Sequence, residues 1–283
     1  MNSVIIGNGE SRSWFNPEIK RSIGPIGTRI WMDTETWGCN AVYREASPNH
    51  IVAMDYAMQQ EIYDSGYALK NDCYFANWNV VPAEVAEMTL MGYDIPQEFI
   101  HRSNKQTEQC VIQGKDPNTL KEKIDLAIQQ FPNLDIKDLT LKMEKDVGIW
   151  ITYVEETDQV TPIVGLNGYS TGNAAMSLAC ESGSKKVYML GFDLSAYEED
   201  LNNIYKGTDN YFPSDTKGFN PVNWIDQLAV IFTQYNDVDF YWVDAIDRYG
   251  QKEFFHNNED GDINTLTYLT KEEFCKELSL IRQ

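Results

Sequence analysis

The sequence predicts an α/β protein, a Rossmann-like and mostly parallel sheet with helices on both faces and a smaller inserted or lid region. Three observations carry that prediction. Short apolar runs end in Gly or Asp: Val4, Ile5 and Ile6 before Gly7, residues 50–54 before Asp55, and residues 186–190 before Gly191. Such continuous runs fit strands buried on both faces, as parallel strands are. Segments of helical periodicity alternate with these runs, which is the pattern of a parallel sheet with crossover helices. With 283 residues, 42% of them hydrophobic, the chain is long enough for one large domain or two small ones.

The elements follow in order. Residues 4–6 form the first strand and open on Gly7-Asn8-Gly9. Residues 50–55 form a second strand closed by a carboxylate, and 56–63 a helix. Residues 73–76 are a third strand, and 82–91 a helix with Pro82 in its first turn. Residues 94–159 are more polar and less periodic, which assigns them to an insertion or lid; within them 118–131 reads as an amphipathic helix. The main domain is thus 1–93 with 160–283. Residues 172–182 form a small-residue helix, 186–191 a strand, 221–235 a helix and 239–243 a strand. The last helix, 270–281, starts with a capping box of Thr270 and Glu273.

Composition narrows the function. Lys and Arg number 23 against 43 Asp and Glu, a net charge of −20 that repels polyanions and anionic membranes at long range. The five cysteines are widely spaced, without zinc spacing or a CxxC pair, as expected of reduced thiols in a cytoplasmic protein. No signal peptide and no run of about 18 apolar residues is seen, so no membrane is expected. The three histidines, His50, His101 and His256, show no triad or ligand spacing. Asp237-Val238-Asp239 merges into a strand and Asp260-Gly261-Asp262 departs from the calcium-loop pattern, so no metal ligand is assigned.

In such sheets ligands bind beyond the carboxyl ends of the strands, where strand order reverses. Four groups of residues are expected there. Gly7, Asn8, Gly9, Ser11 and Arg12 follow a strand directly; glycines allow close backbone approach, and successive N–H groups can cradle a phosphate. The spacing is neither a dinucleotide fingerprint nor a Walker loop. Asn40, in Trp37-Gly38-Cys39-Asn40, offers an amide to a sugar or base edge, although an Asn beside a glycine also suits a turn. Ser170, Thr171 and Gly172 open a helix, with Ser170 or Thr171 as its cap. Asp193 ends a strand and could act as a base; Tyr205, Lys206 and Tyr211 follow in a polar segment suited to a diphosphate.

The ordered set GNGxS, GCNxxY and YSTGxxAxxLAxxxGxKxVYxLGFDL resembles the sialyltransferase-like glycosyltransferases of bacterial surface glycans, over roughly residues 1–60 and 160–245. It is also similar to a broader clan with archaeal-type hydroxymethylpterin pyrophosphokinases, and to phage proteins that share an NNIYKGTxNY-like segment. Among phage enzymes of this kind are some that glycosylate hydroxymethylated bases in DNA. The resemblance implies a GT-A-like variant of the fold and a nucleotide-sugar donor, CMP-linked, as co-substrate without any cofactor. It implicates Asn8, Gly9, Ser11, Asn40, Ser170, Thr171, Gly172 and Asp193 in donor binding, and Tyr205 and Tyr211 in neutralising the leaving phosphate. The family's histidine base has no counterpart in residues 212–224, which leaves Asp193 or Asp55 as the expected base or acceptor-orienting group. The expected acceptor is a glycan hydroxyl or, in a phage-encoded protein, a 5-hydroxymethylpyrimidine in DNA; a homo-oligomer is compatible with either. The alternatives are a magnesium-dependent pyrophosphokinase, with Asp55 and Asp193 on the metal, and a non-catalytic phage protein that keeps the fold.

Overall fold

The computed structural model describes residues 1–16, 34–76, 80–81, 101–102, 108–113, 149–154, 159–166, 168–194, 199–247, 250–256 and 265–278. The expected helices at 82–91 and 118–131 and the acidic loop 260–262 lie outside them. The chain divides into two units, Met1–Met54 with Leu166–Gln283, and Asp55–Gly165.

The first unit opens with strands β1 (Asn2–Ile6), β2 (Thr34–Cys39) and β3 (His50–Ala53). The second unit holds helix α1 (Tyr56–Asp64), β4 (Asp72–Ala76), β5 (Val80–Val81), β6 (His101–Arg102), β7 (Glu108–Gln113), β8 (Ile149–Val154) and β9 (Val160–Ile163). The chain returns to the first unit with α2 (Thr171–Glu181), β10 (Lys186–Leu190), α3 (Val222–Gln234), β11 (Asp239–Val243), α4 (Gln251–His256), β12 (Leu266–Leu269) and α5 (Lys271–Glu277).

In the first unit six parallel strands run in the order β3-β2-β1-β10-β11-β12. The chain winds outward from β1 through β2 to β3, then outward the other way from β10. The switch therefore falls between β1 and β10, whose ends are in register at Ile6 and Leu190. Val4, Ile5 and Ile6 are fully buried, which is why the run carries no alternation. Helices cover both faces. On one, α2 lies against β1, β2, β3 and β10 through the fully buried Ala174, Ala175 and Ala179. Phe232 of α3 meets Phe240 of β11 at 4.8 Å and Phe255 of α4 at 5.3 Å. On the other, Tyr188 stacks on Tyr241 at 4.8 Å, and Phe274 of α5 meets Tyr188 at 5.5 Å and Phe15 at 6.1 Å. The α5 capping box is present, with Thr270 and Glu273 bonding each other's backbone N–H. The expected α/β architecture is the observed one.

In the second unit β4 and β9 pair in parallel, with Cys73 opposite Val160. β7 is the hub of a separate sheet, parallel to β5 and β8 and antiparallel to β6. The buried Gln59 of α1 donates to the Ala76 carbonyl at 2.9 Å, which ties the helix to β4. β2, β5, β6, β7, β8, β9 and β12 have no counterpart among the strands expected from sequence.

Candidate functional site

The loop after β1 packs against the loop after β10. Gly7 N donates to Leu190 O at 2.8 Å and Gly9 N to Gly191 O at 2.9 Å. A Cβ on Gly7 would stand 2.7 Å from Gly191 O, and one on Gly9 2.5 Å from Asp193 Cγ. The two glycines are thus required by this loop-on-loop contact. Glu10 N donates to Asn202 Oδ1 and Ser11 N to Asp193 Oδ2, each at 2.7 Å. These N–H groups are consumed within the protein, so the backbone cradle expected of residues 7–11 is not formed; a packed turn takes its place. What the loop presents is the Asn8 side chain. Its Nδ2 donates to the Tyr211 hydroxyl at 3.0 Å, while its Oδ1 is buried with no hydrogen-bond partner among the described residues.

The loop after β2 supplies Asn40, in the left-handed region at φ 51, which Asn tolerates better than most residues. Thr171 Oγ1 donates to Asn40 Oδ1 at 3.2 Å, and the next backbone N–H, that of Ala41, reaches the Tyr211 hydroxyl at 3.3 Å. Two N–H donors from separate loops therefore converge on one oxygen. Ser170 caps α2, accepting from Asn173 N at 3.3 Å, and Ser170 N is bonded to Gln227 Oε1 at 2.9 Å. The N–H groups of Thr171 and Gly172 come next, at the positive end of the helix, where no intrahelical acceptor exists. Gly172 sits over Phe192, whose ring a Cβ would approach to 3.1 Å.

Residues 199–218 form a strap beside these loops. Ile204 N donates to Asn8 O at 2.9 Å. Arg44 donates to Thr208 Oγ1 and Asp209 O, both at 2.9 Å, with its guanidinium carbon 5.9 Å from the Tyr211 ring centre. Arg12, expected at a ligand, turns inward and is 2% exposed. It donates to Gly7 O and, at 3.0 Å, to the Tyr205 hydroxyl, and lies 3.5 Å from Glu45. Tyr205 is buried and donates its own proton to Glu45. Burial pushes the Tyr205 phenol above its ordinary range, opposed by the Arg12 charge. The neighbouring Cys39 thiol is pushed up to about 12 by burial, again opposed by Arg12. Lys206 pairs with Glu10 at 2.8 Å and donates to Leu201 O at 3.1 Å.

Of the residues singled out from sequence, Asn8, Ser11, Asn40, Thr171, Asp193 and Tyr211 come together beyond β1, β2 and β10. Asp55 belongs to the second unit and is an exposed residue. Sequence reasoning does not reach Arg44, Glu45 and Gln227; of these only Arg44 and Glu45 carry a signal, as a charged pair directly after the GCNxxY motif. Among the described residues, no cluster of three His, Cys, Asp or Glu is placed to hold a metal, and no helix is long and apolar enough to cross a membrane.

No protein-family model matches this chain, and no curated protein does. Among solved structures it is similar to a variant of the sialyltransferase CST-II in complex with CMP, with 13% identity, 86% of this chain and 81% of that chain covered, and a TM-score of 0.35. It is likewise similar to the sialyltransferase CstII from Campylobacter jejuni in complex with CMP-3FNeuAc, with 15% identity, 85% and 79% coverage, and a TM-score of 0.30.

Proposed function

We propose that the crevice at the β1/β10 switch binds a nucleotide-activated sugar, CMP-linked, and that the chain is a glycosyltransferase moving that sugar to a hydroxyl acceptor. The observation that carries this reading is that Asn8 and Ala41 N meet at the Tyr211 hydroxyl while the adjacent Asn40 is bonded to Thr171 at the α2 N-terminus, which gathers polar groups of four chain segments beyond the switch. The motif order in the sequence supplies the choice of donor.

In this reading the Thr171 and Gly172 N–H groups face the donor phosphate, where the helix end favours negative charge. Asn40 takes the ribose or base edge through its amide. The acceptor hydroxyl attacks the anomeric carbon, the bond from that carbon to the phosphate oxygen breaks, and CMP leaves. Asp193, anchored through Ser11 N, receives the hydroxyl proton. N–H donors and the Tyr211 hydroxyl carry the charge developing on the leaving phosphate, so the step needs no metal. The net charge of −20 favours a glycan acceptor over DNA.

A thermal-shift screen of CMP-, UDP-, GDP- and ADP-linked sugars, followed by a transfer assay with and without chelator, tests this. CMP-linked sugars should raise the melting temperature, since ligand at about 100 times Kd adds about 2.7 kcal/mol, and transfer should survive chelation. Stabilisation by ATP with magnesium, and activity lost to chelator, would establish a pyrophosphokinase instead. If nothing stabilises the chain, it is a non-catalytic protein that keeps the fold. For the acceptor, binding of hydroxymethylated DNA that weakens steeply with salt would favour the nucleic acid over the glycan.

A further inference from the structure

Arg12, Glu45 and Tyr205 have no part in the transfer step, yet they form one charged and hydrogen-bonded group in which Arg12 and Tyr205 are buried and Glu45 reaches in from the surface. The group joins three stretches of chain distant in sequence. Arg12 belongs to the loop after β1, Glu45 to the turn after β2, and Tyr205 to the strap 199–218. Arg12 reaches the Gly7 carbonyl and the Tyr205 hydroxyl, with its guanidinium carbon 5.8 Å from the Tyr205 ring centre. Glu45 accepts the Tyr205 proton and faces Arg12 at 3.5 Å. In the strap's other charged ties, Arg44 to Thr208 and Lys206 to Glu10, the cation is exposed or half-exposed, whereas the Arg12 guanidinium is buried. The Tyr205 ring lies 5.4 Å from that of Tyr211, whose hydroxyl meets Asn8 and Ala41.

We propose that Arg12, Glu45 and Tyr205 are a latch: positioning residues that hold the strap 199–218 in the one arrangement in which Tyr211 stands at the donor site. The physical reason is that a buried guanidinium cannot be left without its carboxylate and hydroxyl, so the strap arrangement that supplies both is strongly preferred. The latch acts on the donor through Tyr211. When only a fraction of molecules holds the competent strap, apparent affinity falls by that fraction while the saturated rate is kept. The consequence for the donor rests on the proposed function; the fixing of the strap does not.

The test is Tyr205→Phe in the full chain, which removes one hydroxyl and keeps the ring. Trypsin should cut after the strap lysines Lys206 and Lys217 about tenfold faster than in the parent, with cleavages outside the strap unchanged. With CMP-linked sugar as donor, KM should rise about tenfold while kcat stays within about twofold. A merely structural role would lower kcat by loss of active molecules and leave KM alone. Glu45→Gln, which keeps an acceptor for the hydroxyl but removes the charge facing Arg12, should show the same split and serves if Tyr205→Phe does not fold. Unchanged cleavage after Lys206 and Lys217, or cleavage raised equally across the chain, overturns the latch. Failure of the parent to bind the sugar, with cleavage after Lys206 and Lys217 still raised in the variant, overturns the donor reading alone.

Discussion

Replacing Asn40 separates the structural work of this residue from its work on a ligand. Its backbone is in the left-handed region at φ 51, and its Oδ1 accepts from Thr171 at 3.2 Å. An alanine there pays about 1 kcal/mol of backbone strain and loses a hydrogen bond of about 1 kcal/mol. Asn40→Ala should therefore cost about 2 kcal/mol. Glycine adopts the same φ without strain, so Asn40→Gly should cost about 1 kcal/mol, the hydrogen bond alone. At about 2–4 °C per kcal/mol for chains of this size, melting should fall by about 4–8 °C for Ala and about half that for Gly. Both variants lack the amide, so both should lose affinity for a CMP-linked sugar by the same factor, about tenfold, in calorimetry below either melting point. Equal melting of the two variants would refute the backbone argument. Parental affinity in Asn40→Gly would remove Asn40 from the donor site.

Two other outcomes follow from the same structure. Gly9→Ala drives a Cβ to 2.5 Å from Asp193 Cγ and separates the two strand-end loops, so it should cost about 2–3 kcal/mol, read as a melting drop of at least about 4 °C; parental melting would show that the loops are not held in contact. The Cys39 and Cys180 thiols, both pushed up to about 12 by burial, should resist alkylation at pH 8 until the chain unfolds, as peptide mapping would show; rapid native labelling of Cys39 would mean that the loops around it open.

The strands at the switch were legible because burial on both faces leaves an uninterrupted apolar run, as in residues 4–6 and 187–190. β2 was not, because its Thr34 and Thr36 are buried polar residues; the Asn49 side chain satisfies Thr36 from outside the strand, and no window of sequence shows that partner. The glycines of the first loop were found but read as room for a ligand, whereas their space is filled by Gly191 and Asp193. Ser170 was legible as a cap because capping is local, spanning three residues. The Arg12, Glu45 and Tyr205 group was illegible for the opposite reason. Its contacts join residues 160 and 193 positions apart, and nothing periodic marks them.

The most direct measurement is a crystal structure of the full chain with a CMP-linked sugar analogue that cannot be transferred. The account predicts the nucleotide beyond β1 and β10, with the phosphate at the Thr171 and Gly172 N–H groups and Asn8 and Asn40 in hydrogen-bond contact. An analogue bound elsewhere, with this crevice empty, would contradict it.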